Sequence, residues 1–173
     1  EGRERPCFAV TEANTGLDTT RVKTRAVRNG DVYLVSGEKV WITGAAIADR
    51  MMILARTTPI EECVRPMDGL SLFYTRIDRR RVEIRPIPKH GVETVASCVL
   101  IIDELPVPVE DRIGEEGKGF RYLLDSINPE RIMVAAEAVG MGRAALQRAA
   151  GYAAQRRVFD RPIGQNQSVQ HPL

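Results

Sequence analysis

The chain has 173 residues, 43% of them hydrophobic, and a formal net charge of +2. That is enough apolar material for one buried core, or for one domain and part of another. A balance this near to neutral argues against nucleic acid or an anionic membrane as the main partner. No apolar run reaches the roughly 18–20 residues that span a bilayer, so membrane insertion is not expected, and no signal or transit pattern opens the chain. Cys7, Cys63 and Cys98 are odd in number and far apart, without a C-x-x-C, which reads as a reduced, intracellular protein. His90 and His171, the two histidines, are too few for a His/Cys metal site, and none is expected.

The first two-thirds read as β. Residues 7–20, CFAVTEANTGLDTT, form a short apolar strand that breaks into a loop rich in Thr, Asn and Gly. Such a loop can present backbone N–H groups and hydroxyls to a polar or anionic ligand. VKTRAVRNGDVYLVSGEKVWIT follows as two strand-like stretches split by Asn29-Gly30, a short-range hairpin signal. Its end, KVWIT, sets the only Trp beside a Thr, an aromatic plane next to a hydroxyl, as a planar heterocycle with polar edges would need. Strand-end turns and a core Trp are the plainer reading of the same residues. RMMILART, GLSLFYTRI, RRRVEIRPI and SCVLIIDELPVP continue as strands between Gly, Pro and charged turns, and residues 57–68 read as an exposed, mobile loop.

After about residue 113 the period becomes helical: Ile132, Ala136, Val139, Leu146, Ala149 and Ala153 recur at helix spacing. A helix with so much Ala and Gly on its contact face is expected to lie very close to neighbours. The fold class is therefore α+β, an antiparallel β-sandwich or barrel (1–113) followed by the long helix of an incomplete helical bundle (114–173). The ends EGRERP and QSVQHPL read as cut, and the chain is expected to be a piece of a longer one.

Three motifs are decoys. Residues 140–145, GMGRAA, match the letters of a dinucleotide fingerprint, but that motif needs a strand before it, and here helix precedes it. GEEGKGF has the wrong Gly spacing for a phosphate loop and reads as a Gly-rich turn. Residues 79–81, three arginines, read as a solvated cluster at an exposed hairpin.

LLDSINPERIMVAAEAVGMG, residues 123–142, poses one question, that of Glu130. Asn128-Pro129-Glu130 can be helix-start grammar, with an N-cap, a first-turn Pro and a dipole-favoured acid. Alternatively, Glu130 is a base aimed into a pocket, with Glu137 a weaker rival. If the helix runs through, Pro129 withholds a donor from the Asp125 carbonyl and a kink is expected.

Taken together, FAVTEANTGLDTT, GEKVWITGA, ILARTT, GLSLF, VPVEDRIGEEGKGF, NPER and RRVFDRPIGQNQSVQHPL resemble, in order, the middle and early C-terminal parts of the acyl-CoA dehydrogenase family. The resemblance runs from Cys7 to Leu173. It implies FAD as cofactor, with Phe8, Val10, Thr11, Gly16 and Leu17 along the flavin and its pyrophosphate, and Trp41, Ile42 and Thr43 at the ring. It implies that Arg156, Phe159 and Gln167 hold the FAD of a neighbouring subunit, hence a homodimer or homotetramer. It implies α,β-dehydrogenation of an acyl-CoA thioester, with Glu130 as the base that takes the α-proton while the β-hydrogen leaves as hydride to flavin N5. The base position is like that of the isovaleryl- and long-chain subgroup, and Asn128 and Arg131 then match substrate-binding positions. An electron-transfer flavoprotein as acceptor, and a cytoplasmic or mitochondrial-matrix location, also follow from the resemblance. The chain departs from the family with Leu17 where Ser is common and Asp160 where Gly is common. An acyl-CoA oxidase on the same fold and a non-catalytic binding or assembly module are the alternatives, and the chain in isolation is expected to be inactive.

Overall fold

The computed structural model describes residues 2–173. Eight strands form one sheet: β1 (Pro6–Ala9), β2 (Arg25–Asn29), β3 (Val32–Thr43), β4 (Arg50–Arg56), β5 (Leu70–Arg76), β6 (Val82–Pro86), β7 (Ser97–Pro108) and β8 (Arg112–Ile113). Their order is β6-β7-β3-β2-β4-β5-β8, with β1 on β4 beside that path. The path is open, so the described residues form no closed barrel. The sheet is mixed where a purely antiparallel one was expected, because β1 and β2 both run parallel to β4. Those pairings join segments distant in sequence, and no local turn signal announces them.

The β2–β3 hairpin closes as expected, one residue along from the anticipated turn. Asn29 pairs with Val32, so Gly30-Asp31 is the loop. Gly30 has φ +62 and Asp31 does not share a positive φ, the type II′ pattern with Gly at its first central position. Alternating side chains on β3 and β7 then build the core. Tyr33, Val35, Leu100, Leu105 and Val107 are buried with Phe73 of β5, whose ring meets Tyr33 edge-on at 5.0 Å between centroids.

The β3–β7 ladder carries two bulges that cancel. Between Val35 and Gly37 the extra residue lies on β7, where Glu104 has φ +47; between Lys39 and Ile42 it lies on β3, where Trp41 has φ +62. Outside the two bulges the register is therefore the same at both ends. A bulge flips the side-chain alternation downstream of it. Tyr33, Val35 and Lys39 follow one inward face; strict alternation would put Trp41 on it too. The extra residue turns Trp41 out, 56% exposed, and Ile42 in, 1% exposed.

One long helix follows, α1 (Gly119–Gln155), with Pro129 inside it. Its first turn lies against β5: a Cβ on Gly119 would sit 2.3 Å from the Leu72 nitrogen, so only Gly fits there. Gly117 N–H donates to Ser71 Oγ at 2.9 Å, and this is the work of the Gly-rich turn. The chain divides into two compact units within α1, one ending at Asp125 and the other Ser126–Leu173. The second unit holds the rest of α1, a two-stranded ribbon of β9 (Arg157–Val158) and β10 (Arg161–Pro162), and α2 (Gln167–Gln170). Among its described residues Ala153 alone is buried. No helix among the described residues is long and apolar enough to cross a membrane.

Candidate functional site

Two of the anticipated stretches are joined by a backbone bond. Val40 N–H, in the β3 bulge, donates to the Thr11 carbonyl at 2.9 Å. That bond sets the end of β1 and its loop beside the strand end that carries Trp41. Trp41 and Phe8 (40% exposed) offer aromatic surface, while Val10 (4%) and Ile42 (1%) are core residues whose contribution to any ligand is through backbone. Thr43 and Gly16 are exposed and Thr11 half-buried. Leu17 is fully exposed, and Thr15 Oγ1 is buried with no hydrogen-bond partner among the described residues. A core Trp, the plainer expectation, is therefore corrected: the bulge expels the ring.

Beneath this loop lies a pair that the sequence reading missed. Lys39, fully buried, donates to the Val10 carbonyl (3.0 Å), the Leu54 carbonyl (2.8 Å) and Glu12 Oε1 (3.0 Å). Glu12 in turn accepts from Thr24 N–H (2.9 Å), Thr24 Oγ1 (2.6 Å) and Lys23 N–H (2.7 Å). Burial pulls the ammonium of Lys39 down to about 8 against the attraction of Glu12. Burial pushes Glu12 up, but the charge of Lys39 and the Thr24 and Lys23 bonds outweigh it and hold the carboxyl below its usual range. The signal was present: alternation from Tyr33 and Val35 puts Lys39 on the inward face.

Arg79 also departs from expectation. Rather than belonging to a wholly solvated cluster, it donates to the carbonyls of Ala45, Ala46 and Ala48, the turn after β3. Arg56 is a second buried cation on carbonyls, those of Thr20 (2.6 Å), Pro66 (3.0 Å), Val22 (3.4 Å) and Asp68 (3.5 Å). It fastens the 57–68 loop.

In the second unit, Asn128, Glu130 and Arg131 are exposed residues of α1. Asn128 is not an N-cap: the helix starts at Gly119, because its first turn is held on β5, and the Asn-Pro pair lies inside it. Pro129 has no N–H to give the Asp125 carbonyl, so the usual i+4 bond is missing at the junction of the two units. By helical spacing Glu130 shares a face with Ile127, Met133 and Val134, three apolar side chains, while Asn128 and Arg131 share another. Glu137 is exposed.

Phe159 and Asp160 form the two-residue turn of the β9–β10 ribbon, with φ +51 and +63, the type I′ pattern. Phe159 is 93% exposed at its tip. The left-handed backbone at Asp160 explains why Gly suits that position, and Asp is among the few residues that tolerate it. Arg156 and Gln167 are exposed on either side of this ribbon in sequence.

Residues 7–105 match the family profile described as acyl-CoA dehydrogenase, middle domain, and residues 117–173 match acyl-CoA dehydrogenase, C-terminal domain. The cyclohex-1-ene-1-carbonyl-CoA dehydrogenase of Syntrophus aciditrophicus is 35% identical over 94% of this chain and 39% of its own length. A solved acyl-CoA dehydrogenase from Geobacillus kaustophilus superposes with a TM-score of 0.84 at 31% identity, over 96% of this chain and 44% of that one. The prolyl acyl carrier protein oxidase AnaB superposes with a TM-score of 0.81 at 30% identity, over 96% of this chain and 43% of that one. The chain thus spans well under half the length of these relatives.

Proposed function

The chain belongs to the acyl-CoA dehydrogenase family of flavoprotein oxidoreductases, and from that premise we propose that it forms the middle β-domain (1–113) and the start of the helical domain (114–173) of an FAD-dependent acyl-CoA dehydrogenase. The β1 end with its loop and the β3 strand end fit a flavin: an expelled aromatic ring at Trp41, a second exposed aromatic at Phe8, and within the loop an orphan hydroxyl at Thr15. Phe8, Val10, Thr11, Gly16, Leu17, Trp41, Ile42 and Thr43 would hold it, with Val10 and Ile42 acting through backbone and Leu17 without the side-chain bond a Ser would give. Arg156, Phe159 and Gln167 would reach the cofactor of a partner subunit in a homodimer or homotetramer.

The observation that carries this reading is backbone strain at two aromatic residues. Trp41 and Phe159 both sit at positive φ, a conformation that costs a bulky residue about 1–3 kcal/mol. Both are exposed, and both fall where the family resemblance assigns flavin contacts. A fold that needed only turns there would do better with Gly.

FAD, when bound, would supply the acceptor for hydride from the β-carbon of the acyl chain. Glu130 would take the α-proton, which requires its carboxylate within about 3 Å of that carbon. Ile127, Met133 and Val134 on the same helical face would keep water from the carboxylate. Asn128 and Arg131, on a neighbouring face, would bind the CoA portion. Electrons would leave to an electron-transfer flavoprotein in a reduced compartment, the cytoplasm or mitochondrial matrix.

A second reading, an acyl thioester oxidase, is favoured by the likeness to AnaB. The test is an anaerobic addition of short, branched and long acyl-CoAs to this chain set in a polypeptide of the relatives' full length. Bleaching of the oxidised flavin band is expected. Rapid recolouring in air with one equivalent of peroxide would replace the dehydrogenase by the oxidase. A full-length protein that takes up no FAD would reduce the chain to a binding or assembly module.

A further inference from the structure

The Lys39–Glu12 pair has more structure around it than a β-core requires. Replacing a buried ion pair by apolar residues of similar volume is often neutral or stabilising, so its persistence asks for another account. Each of the three ammonium donors of Lys39 is used, on the carbonyls of Val10 and Leu54 and on Glu12 Oε1. Both carboxylate oxygens of Glu12 are used as well. The pair therefore ties together β3, β4, the end of β1 and the residues leading into β2.

Its effect on the loop follows from peptide geometry. No peptide bond in the described residues is cis, so each N–H points opposite to the carbonyl of its own peptide group. Lys39 draws the Val10 carbonyl inward, which turns the Thr11 N–H away from Lys39. The Thr11 carbonyl is taken by Val40 N–H, which turns the Glu12 N–H away from β3. Val40 and Trp41 are the two residues after Lys39, inside the bulge. The Lys39 side chain thus fixes the Val10 half of the place where loop and strand end meet, and the backbone of the next residue, Val40, fixes the Thr11 half.

We propose that Lys39 and Glu12 are positioning residues for the cofactor face: their ion pair sets the direction of the Val10 and Thr11 peptide groups against the Trp41 bulge. Neither residue need touch a ligand. The inference rests on the assignment of that face to a flavin, but the loop geometry it predicts is measurable without one.

The test compares amide hydrogen exchange and 1H–15N shifts in the parent chain, Lys39→Met and Glu12→Gln. The expected result is a selective change: exchange at Val40 accelerates by at least about ten-fold and the Thr11 amide resonance moves, while Tyr33 and Val35 on the same strand keep their protection. In full-length protein the same variants weaken FAD binding by a comparable factor. Glu12→Gln keeps the size of the side chain but removes its charge, so it breaks the ion pair that holds the Lys39 ammonium and reports even if Lys39→Met fails to fold. Unchanged Val40 and Thr11 signals would overturn the proposal. So would an equal loss of protection along all of β3, which would make the pair a support of the fold alone. A selective loss at Val40 in a protein that binds no FAD would uphold the positioning role and remove the flavin assignment instead.

Discussion

In the β unit, the residues assigned to the cofactor are placed by their own surroundings. Trp41 is turned out by a bulge, the neighbouring Val40 is bonded to Thr11, and Lys39 locks the carbonyl before it. In the helical unit, Glu130, Arg131, Arg156, Phe159 and Gln167 are exposed, and so are Ile132 (73%), Met133 (69%), Val139 (62%) and Met141 (66%). The first unit shapes the surroundings of its candidate residues through internal hydrogen bonds and a packed core. The second supplies side chains on a helix whose spacing is set but whose apolar faces are uncovered. Substitutions in the β unit will therefore be felt through the fold, and those on the exposed helical faces far less so.

The largest expected effect tests that contrast directly. Phe73→Ala, in the core against Tyr33, is expected to destabilise by about 3–5 kcal/mol, whereas Ile132→Ala changes the stability of the same chain by less than about 0.5 kcal/mol. Chemical denaturation of the two variants measures both. A large loss from Ile132→Ala would show that the helical unit has a core of its own and would erase the contrast.

A smaller effect sharpens it by pH. The folded state releases the Lys39 proton near pH 8, the unfolded chain near the ordinary 10.5. Between those values the unfolded state binds more protons, so the contribution of Lys39 to stability rises as pH rises from about 8 to 10.5. Glu12 has the opposite window: its stabilisation is present above its ordinary 4.5 and is lost as pH falls through the lowered folded value. Denaturation midpoints should therefore show the parent gaining on Lys39→Met through the alkaline window, and losing its advantage over Glu12→Gln in acid. A difference flat across both windows would contradict the buried pair.

The smallest effect lies in the helical unit. Asp160→Gly relieves a left-handed backbone at an exposed turn and is expected to stabilise the ribbon by up to about 1 kcal/mol. A thermal shift downward would count against the turn assignment.

What could be read in the sequence was local. The hairpin at Gly30, the strands from RMMILART to SCVLIIDELPVP and the long helix all follow from alternation, turn residues and helical period. The pairing of β1 and β2 with β4 was not legible, since parallel neighbours are joined by no turn. Nor were the bulges, because whether Trp41 faces in or out depends on how many residues β7 sets opposite it. Asn128-Pro129 misled for a related reason: it carries the grammar of a helix start, but the helix had begun at Gly119, where close approach to Leu72 anchors it. Lys39 was legible as an inward position and illegible as a hub, because its partners Val10, Glu12 and Leu54 come from two stretches distant in sequence, the end of β1 with its loop and β4.

The most direct measurement sets Glu130→Gln beside the parent in full-length, FAD-loaded protein, under anaerobic acyl-CoA that bleaches the parent. The substitution keeps the size of the side chain and removes its ability to accept a proton. The account predicts that the variant retains flavin and binds the thioester yet does not bleach, and that it no longer exchanges the α-hydrogens of the substrate with heavy water. Bleaching and exchange at the parent's rate would show that Glu130 is an ordinary helix residue and that the base lies elsewhere.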